Sequence, residues 1–500
     1  MFTAYSAFAM KVVIGQPGGN GGVMVNGTWH TGDTVIVYDH MIIPAGDSLT
    51  IQGGVTVYMA DTILKIELIC LGNFYCVGTE DHPITITTLP SLVPPVETDP
   101  FPSLWGGILC DTTCHEFLML YTDISDYGGP SLNNSPSVLL NIWRTPGSVE
   151  PCFNFNCPSG GKIVIENCTI HNGPGDNCCV TGGNFICCHN LLYQDGKVGS
   201  EGFEVHSGVH ADMCYNLFYS MGGTGISLSN SGGYSPQGNI FVYNNTFVNN
   251  GMRKTTPSAG ALNLSSAIIA HCYNDLEVND RFGIKESATK PPDSSCKADY
   301  NYYYGYTKAI VYDFTSAANL FPFGAHDIRG DSAKDKNPMF VDYPLSTDTM
   351  NAFFCNAWDF HLLSNSPALY AGTTNFTPFF NTNGVTILGV TYTSPAPSNF
   401  MGAFGKTTLG INSLQASKKG SLNIFPNPVK SDLTVQFSAS SNQSVIMVYS
   451  CMGQLIFRKS IENNVGLNTL SIPVDNLANG IYTITLKNSD SIITKKFIKE

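Results

Sequence analysis

The chain has 500 residues, 43% of them hydrophobic and only 13% charged, with a net charge of −13. That composition excludes a disordered chain, which is rich in charge and poor in apolar residues. Residues 421–500 hold seven Lys/Arg and five Asp/Glu, which leaves 18 against 33 and a charge of −15 on the first 420 residues; so acidic a body argues against nucleic acid as a partner, because phosphate binding needs a basic footprint.

Residues 1–9 (MFTAYSAFA) end in Ala7-Phe8-Ala9, the small-x-small pattern of a signal-peptide cleavage site. They are expected to be the remnant of a signal peptide whose true start lies upstream of Met1. No stretch approaches the ~20 apolar residues of a membrane span, so no transmembrane segment is expected. Within 28–88 the runs 34–38, 47–51, 55–58 and 84–87 alternate as strands between Gly, Pro and Asp. Segment 89–103 holds five prolines and reads as a surface loop. The strand pattern resumes at 105–108 and 117–124. Residues 130–160 form a Pro-, Ser-, Asn- and Cys-rich insertion, a candidate binding surface on one face of a repeat array.

One pattern then recurs: β-formers, an Asn or a neighbour, more β-formers. It occupies 163–170, 185–193, 211–219 and 240–248, with weaker copies at 268–274 and 298–304. The anchors are Asn167, Asn190, Asn216, Asn245, Cys272 and Asn301, in steps of 23, 26, 29, 27 and 29 residues. That period fits one coil of three short strands with turns. An Asn at one corner of each coil tolerates the left-handed backbone of a tight turn and bonds to the Asn above. Four anchors, Asn167, Asn190, Asn216 and Asn245, are therefore expected to pile into a column. No 3.6-residue periodicity persists, which excludes a helical repeat.

The 16 cysteines allow two readings. Cys70/Cys76, Cys110/Cys114 and Cys152/Cys157 are spaced for local disulfides, and Cys178-Cys179 with Cys187-Cys188 for links between coils. Equally, they are small apolar side chains stacked in the core. No paired C-x₂-C spacing points to zinc.

The richest polar stretch runs from Asp195 to Asp212. Period-2 alternation puts Phe203 and Val205 inside and Glu204 and His206 outside on one sheet. The candidate catalytic residues are Glu201, Glu204, His206 and Asp212. Lys197, Arg253 and Tyr303 are candidates for substrate binding, Arg253 if its turn folds over that face. Tyr303 belongs to a run of five tyrosines between 300 and 306 that either faces outward as a sugar platform or packs inward. Glycoside hydrolysis needs two carboxylates ~5–5.5 or ~6.5–9.5 Å apart. β-Elimination of a uronic acid needs a base and a neutralising cation, for which Ca²⁺ on acidic oxygens is the one cofactor suggested. A third possibility is no chemistry at all, polar groups simply solvating an exposed sheet.

Residues 27–29 (GTW), the strands of 34–58, 78–84 (GTEDHPI) and 105–108 (WGGI) resemble the right-handed parallel β-helix repeat proteins of the pectin-lyase-like superfamily. Residues 336–342 (KNPMFVD), 359–362 (DFHL), 366–369 (SPAL) and 401–404 (MGAF) are similar to that superfamily's closing coils. The resemblance covers roughly 10–406 and implies an all-β, right-handed parallel β-helix. It does not select among the lyases, hydrolases, epimerases and adhesins of that group.

Residues 407–420 read as a linker. From 421 onward about seven alternating strands predict a small Ig-like β-sandwich. This segment resembles the type A C-terminal sorting domain of the type IX (Por) secretion system. The matching residues are Pro426, Asn427 and Pro428, the turn at Gly453, the strand with Asn479, Gly480 and Tyr482, and the basic tail with Lys495 and Lys496. The resemblance implies the type IX machinery as partner and a secreted or outer-membrane-surface location. The expectation for the whole chain is an exported monomer that interacts with extracellular polysaccharide, as a lyase or glycoside hydrolase, or else a non-enzymatic adhesin or spacer.

Overall fold

The computed structural model describes residues 10–500 except 95–100, 143–144, 158–159, 175–177, 196–200, 255–258, 306–319, 331–335, 347–349, 351–352, 357, 407–421, 440–442, 451–454, 463–465 and 489–491. The expected signal-peptide remnant and linker lie outside the described residues, as does Tyr306. The chain divides into two compact units at residue 407.

Three parallel sheets build the first unit. Sheet A has 12 strands, from Lys11–Ile14 to Ile328–Gly330. Sheet B has 10, from Val23–Met24 to Ile284–Glu286, and sheet C has 10, from Gly27–Trp29 to Lys297–Asp299. The chain visits the sheets in turn, and each strand pairs in parallel with its counterpart one coil away. The result is a parallel β-helix of about 11 turns. The all-β reading holds.

Alternation fills the tube. In the middle of sheet A, Val35, Val57, Ile86, Ile124, Ile170, Leu192, Phe218 and Phe247 stand in register on successive coils, all buried. The column continues through Glu277 to Tyr303. Burial, then the nearby Asp280 and Asp275, push the Glu277 carboxyl well above its usual range, so it sits in the core as a neutral acid. No disulfide joins the described cysteines, and all but Cys296 and Cys355 are buried. Cys70 and Cys110 stack in register inside the tube. The packed-core reading of the cysteines is the one the structure bears.

The corner between sheets C and A carries the expected ladder, one residue out of phase at its start. The backbone N–H groups of Cys168, Asn190, Asn216, Asn245, Asp275 and Asn301 each donate to the side-chain Oδ1 of the next rung. Those acceptors are Asn190, Asn216, Asn245, Asp275, Asn301 and Asp327, at 2.8–3.0 Å. Asn167 is not a rung. Its φ of +56° places it with His189, Tyr215, Asn244, Asn274 and Tyr300, which occupy the left-handed turn position before each rung. Cys272 precedes the rung Asp275 by three residues. A second, shorter ladder lies at the corner after sheet A, where Met221 donates to Asn250 and Asn250 to Asp280.

Among the described residues, 336–406 do not add the expected closing coils. Among the described residues, the last strand pairing of the three parallel sheets joins Tyr302–Tyr304 to Ile328–Gly330. Beyond it the chain lies along the outside of the helix as a strap with two antiparallel pairs, Phe340–Asp342 with Asp359–Leu362 and Val385–Ile387 with Val390–Tyr392. The reason is apolar surface facing outward on sheet A: Leu217, Tyr219, Val248, Leu276, Tyr302 and Tyr304 pack under Phe340, Tyr343 and Phe360. The 130–160 insertion contains a short helix, Pro136–Leu139, and then returns to sheet B as Phe153–Asn156. Its Ile142 packs over Ile42, Ile69 and Leu109 on the outer face of that sheet.

The second unit is a seven-stranded antiparallel sandwich. Leu422–Phe425, Asp432–Ala439 and Gly466–Pro473 form one sheet. Leu455–Glu462, Gln443–Ser450, Gly480–Asn488 and Ile492–Lys499 form the other. Leu433, Val435, Phe437, Ile446, Val448, Ile484, Leu486 and Phe497 close its core.

Candidate functional site

Downstream of the insertion, the outer face of sheet B turns polar. Asn154, Cys179, Glu204, Ser227, Asn263 and Lys285 are in register on six successive coils. With neighbouring strands ~4.8 Å apart, the column runs about 24 Å along the helix axis. Glu204 and His206 both point outward from the strand Phe203–Val205 and its exit, as their spacing requires. His206 Nε2 lies 3.6 Å from Glu204 Oε2, and His206 Nδ1 lies 2.7 Å from Ser231 Oγ. The Cys179 thiol sits 3.7 Å from Glu204 Oε2. Carboxylate, imidazole and hydroxyl therefore stand in a row, with the glycines 232 and 233 directly after the serine.

The other candidates are not brought to this row. Asp212 is buried on the outer face of sheet C and holds the strap: its carboxylate accepts from the Phe379 and Phe380 N–H groups at 3.0 and 2.8 Å and from Ser394 Oγ at 2.6 Å. Burial raises its pKa and those three bonds lower it, with a net upward shift. Tyr303 fills the tube, 2% exposed, with its ring 5.1 Å from Phe323. Its neighbours Tyr302 and Tyr304 are buried as well. Tyr300 is half-buried and stacks on His326 at 4.3 Å. Residues 302–304 thus give no outward sugar platform, because the apolar strap covers one side of that strand and the tube the other. Arg253 donates to the Ser220 carbonyl at 2.7 Å and to the Ser220 hydroxyl, with its guanidinium 5.4 Å over the Phe101 ring. It belongs to the corner after sheet A. Glu201 is half-buried just before the strand. Lys197 lies outside the described residues. Ser231, one coil from His206, was not legible in the sequence because the intervening loops vary in length.

A cavity of about 500 Å³ opens between the C–A corner and the strap. His189, Tyr215, Trp358, Asp359, His361 and Phe404 are among its lining residues.

In the sandwich the sorting-motif residues contact one another. Asn427, between Pro426 and Pro428, accepts from the Ile498 N–H at 2.8 Å and donates to the Lys496 carbonyl at 3.2 Å. The opening motif is thereby clamped to the basic final strand that carries Lys495 and Lys496. Tyr482, two residues past the turn at Asn479 and Gly480, donates to the Ala478 carbonyl at 2.9 Å and stacks on Phe497 at 5.6 Å. Gly453 lies outside the described residues. Residues 423–500 match the family described as secretion system C-terminal sorting domain. This second unit is a type IX sorting tail. The tail marks the protein for export to the cell surface or beyond it, and for handling by the type IX machinery. No curated protein and no solved structure matches the chain. Among the described residues no helix is long and apolar enough to cross a membrane.

Proposed function

We propose that the exported β-helix engages extracellular polysaccharide along the outer face of sheet B, centred on Glu204, His206 and Ser231. The observation that carries this reading is the in-register polar column from Asn154 to Lys285. Asn154, Cys179 and Ser227 of this column are buried, and Glu204, Asn263 and Lys285 reach the surface, where one amide and one charge of each sign suit a chain of hydroxyl-bearing sugars. Uncharged or weakly acidic glycan fits best, since the −15 of the first 420 residues repels polyanions at long range.

The same row favours one chemistry over another. Glycosidic cleavage by Glu204 with Asp212 lacks support, because Asp212 faces the strap on a different sheet. The short His206–Ser231 contact instead suits acyl transfer, with Ser231 as nucleophile, His206 as base and Glu204 beside the ring. Ester substituents of a glycan are the matching substrate.

The test is retardation of the full chain in gels containing single polysaccharides, with acyl release measured in parallel. Glu204→Gln, His206→Ala and Ser231→Ala are expected to weaken retention, and Ser231→Ala to abolish acyl release. Equal retention of all three variants would remove the face from the binding site; release that survives Ser231→Ala would remove the acyl-transfer reading.

A further inference from the structure

We propose that Glu166, Cys188 and His189 form a metal site for a borderline divalent cation, with Zn²⁺ the best match. The inference does not rest on the polysaccharide reading, since these residues sit on the outside of sheet C and not on sheet B.

The fold assembles the donors by stacking. Glu166 and Cys188 close the strands Lys162–Glu166 and Gly183–Cys188 and are register partners, 22 residues apart in sequence but adjacent in space. Both side chains therefore leave the sheet on the same side. His189 follows Cys188 at the left-handed turn position, φ +57°, which swings its ring back toward Glu166. The sulfur, the imidazole nitrogen and the carboxylate oxygen all lie within 4.8 Å of one another. Among the described residues this is the one cluster of three such donors.

His189 Nδ1 and Glu166 Oε1 are 3.9 Å apart, beyond hydrogen-bond length. Bond lengths of ~2.0–2.3 Å at tetrahedral angles separate the donors of one zinc by roughly 3.4–3.8 Å, so a small side-chain rotation closes the site. A donor set of one thiolate, one imidazole and one carboxylate selects zinc over Ca²⁺ or Mg²⁺, which take oxygen alone. Coordination takes Cys188 as thiolate, its proton passing to solvent.

The surroundings are those of a built site. Cys188 is fully buried beside its register partner Cys214 and among Val164, Ile186, Val385 and Ile387, which shields the sulfur. The His189 ring is held by stacking on Tyr215, with centroids 5.3 Å apart. His189 also lines the 500 Å³ cavity between the corner and the strap. C-x₂-C spacing is absent because the helix brings the donors together across coils, not within one turn.

The test uses the full chain, stripped with chelator, reduced, and titrated with Co²⁺ and then Zn²⁺. One Co²⁺ per chain is expected to give a sulfur-to-metal charge-transfer band that Zn²⁺ bleaches. Cys188→Ser should abolish the band, and His189→Gln should weaken affinity at least about tenfold. Cys355→Ser, an exposed cysteine elsewhere, should leave the band intact. Circular dichroism checks that each variant is folded; if Cys188→Ser does not fold, the exposed His189→Gln decides alone. A wild-type chain without the band would overturn the proposal. So would a band that survives Cys188→Ser, unchanged affinity in His189→Gln, or a Cys188–Cys214 disulfide found by mass spectrometry in the exported protein.

Discussion

Asp275 Oδ1 accepts two hydrogen bonds from Asn245, one from the backbone N–H at 2.8 Å and one from side-chain Nδ2 at 2.9 Å. Asn216 and Asn245 stand in the same relation one coil earlier. What differs is the second side-chain atom. In Asn216, Asn245 and Asn301 the Nδ2 donates to the carbonyls of Cys187, Met213 and Cys272, which are one column of sheet C. Val242 holds the matching place in that column for Asp275. Asp275 Oδ2 is buried without a hydrogen-bond partner among the described residues. Only a protonated Oδ2 can donate there as the amides do. Burial, offset by the two bonds from Asn245, raises the Asp275 pKa to about 7.

The sign of the consequence follows. A free Asp titrates near pH 3.9, and the folded one near 7. The folded state thus holds its proton longer, so stability is fully present below about pH 4 and is lost as pH rises through about 7. Asp275→Asn replaces the acid by a permanent donor. It should stabilise the β-helix by roughly 2 kcal/mol at pH 8 and by little at pH 4. Urea denaturation at the two pH values checks this; an Asn variant no more stable at pH 8 would contradict the neutral-acid assignment.

Legibility in the sequence followed what repeats and what does not. The Asn pattern exposed the coil length because the corner demands a small polar side chain at every level. It mislocated the start because two adjacent positions both favour Asn: the left-handed residue, as at Asn167, and the rung, as at Asn190. It missed Asp275 and Asp327 because a carboxyl oxygen accepts as an amide oxygen does. Glu204 and His206 were readable from alternation within one strand. Ser231 and the strap over Asp212 were not, because they come from 25 and from 167–182 residues away, across loops of irregular length.

Rung and turn positions should differ sharply in cost. Asn216 is fully buried; it accepts from both the N–H and the Nδ2 of Asn190 and donates to the Cys187 carbonyl. Asn216→Ala strands several buried polar groups at ~1–3 kcal/mol each, so a loss of at least about 3 kcal/mol is expected. Asn167→Ala keeps the ladder and costs about 1 kcal/mol for a non-glycine residue at positive φ. Denaturation midpoints of the pair measure the contrast. Equal losses would mean that the ladder carries no special share of the stability.

Asp212 should govern the strap without touching the Glu204 row. Asp212→Ala removes the acceptor for the Phe379 and Phe380 N–H groups and the Ser394 hydroxyl. Tyr215 and Tyr243 still donate to the Ala396 and Pro395 carbonyls, so the strap is expected to loosen and not detach. Hydrogen exchange over residues 376–394 should quicken at least about tenfold, the loss of ~1.4 kcal/mol or more in local stability. Exchange in Phe203–Val205 should stay as it was. Faster exchange in both regions would place Asp212 within one cooperative unit with the Glu204 row.

The sorting tail makes the final prediction, and Asn427 is its most informative residue. Removing 423–500 should leave the protein in the periplasm, since the tail is what the export machinery handles. That result alone does not separate a folded recognition surface from a linear signal. Asn427→Ala does, because it leaves Pro426, Pro428 and the basic strand in sequence but cuts the two bonds to Lys496 and Ile498. The exposed clamp is worth about 1 kcal/mol, enough to loosen the last strand without unfolding the sandwich. If recognition reads the folded sheet, the variant should reach the culture supernatant or surface in a reduced fraction, measured by immunoblot of fractionated cells. Export equal to wild type would show that the machinery reads the tail as sequence, with the Asn427 clamp serving stability alone.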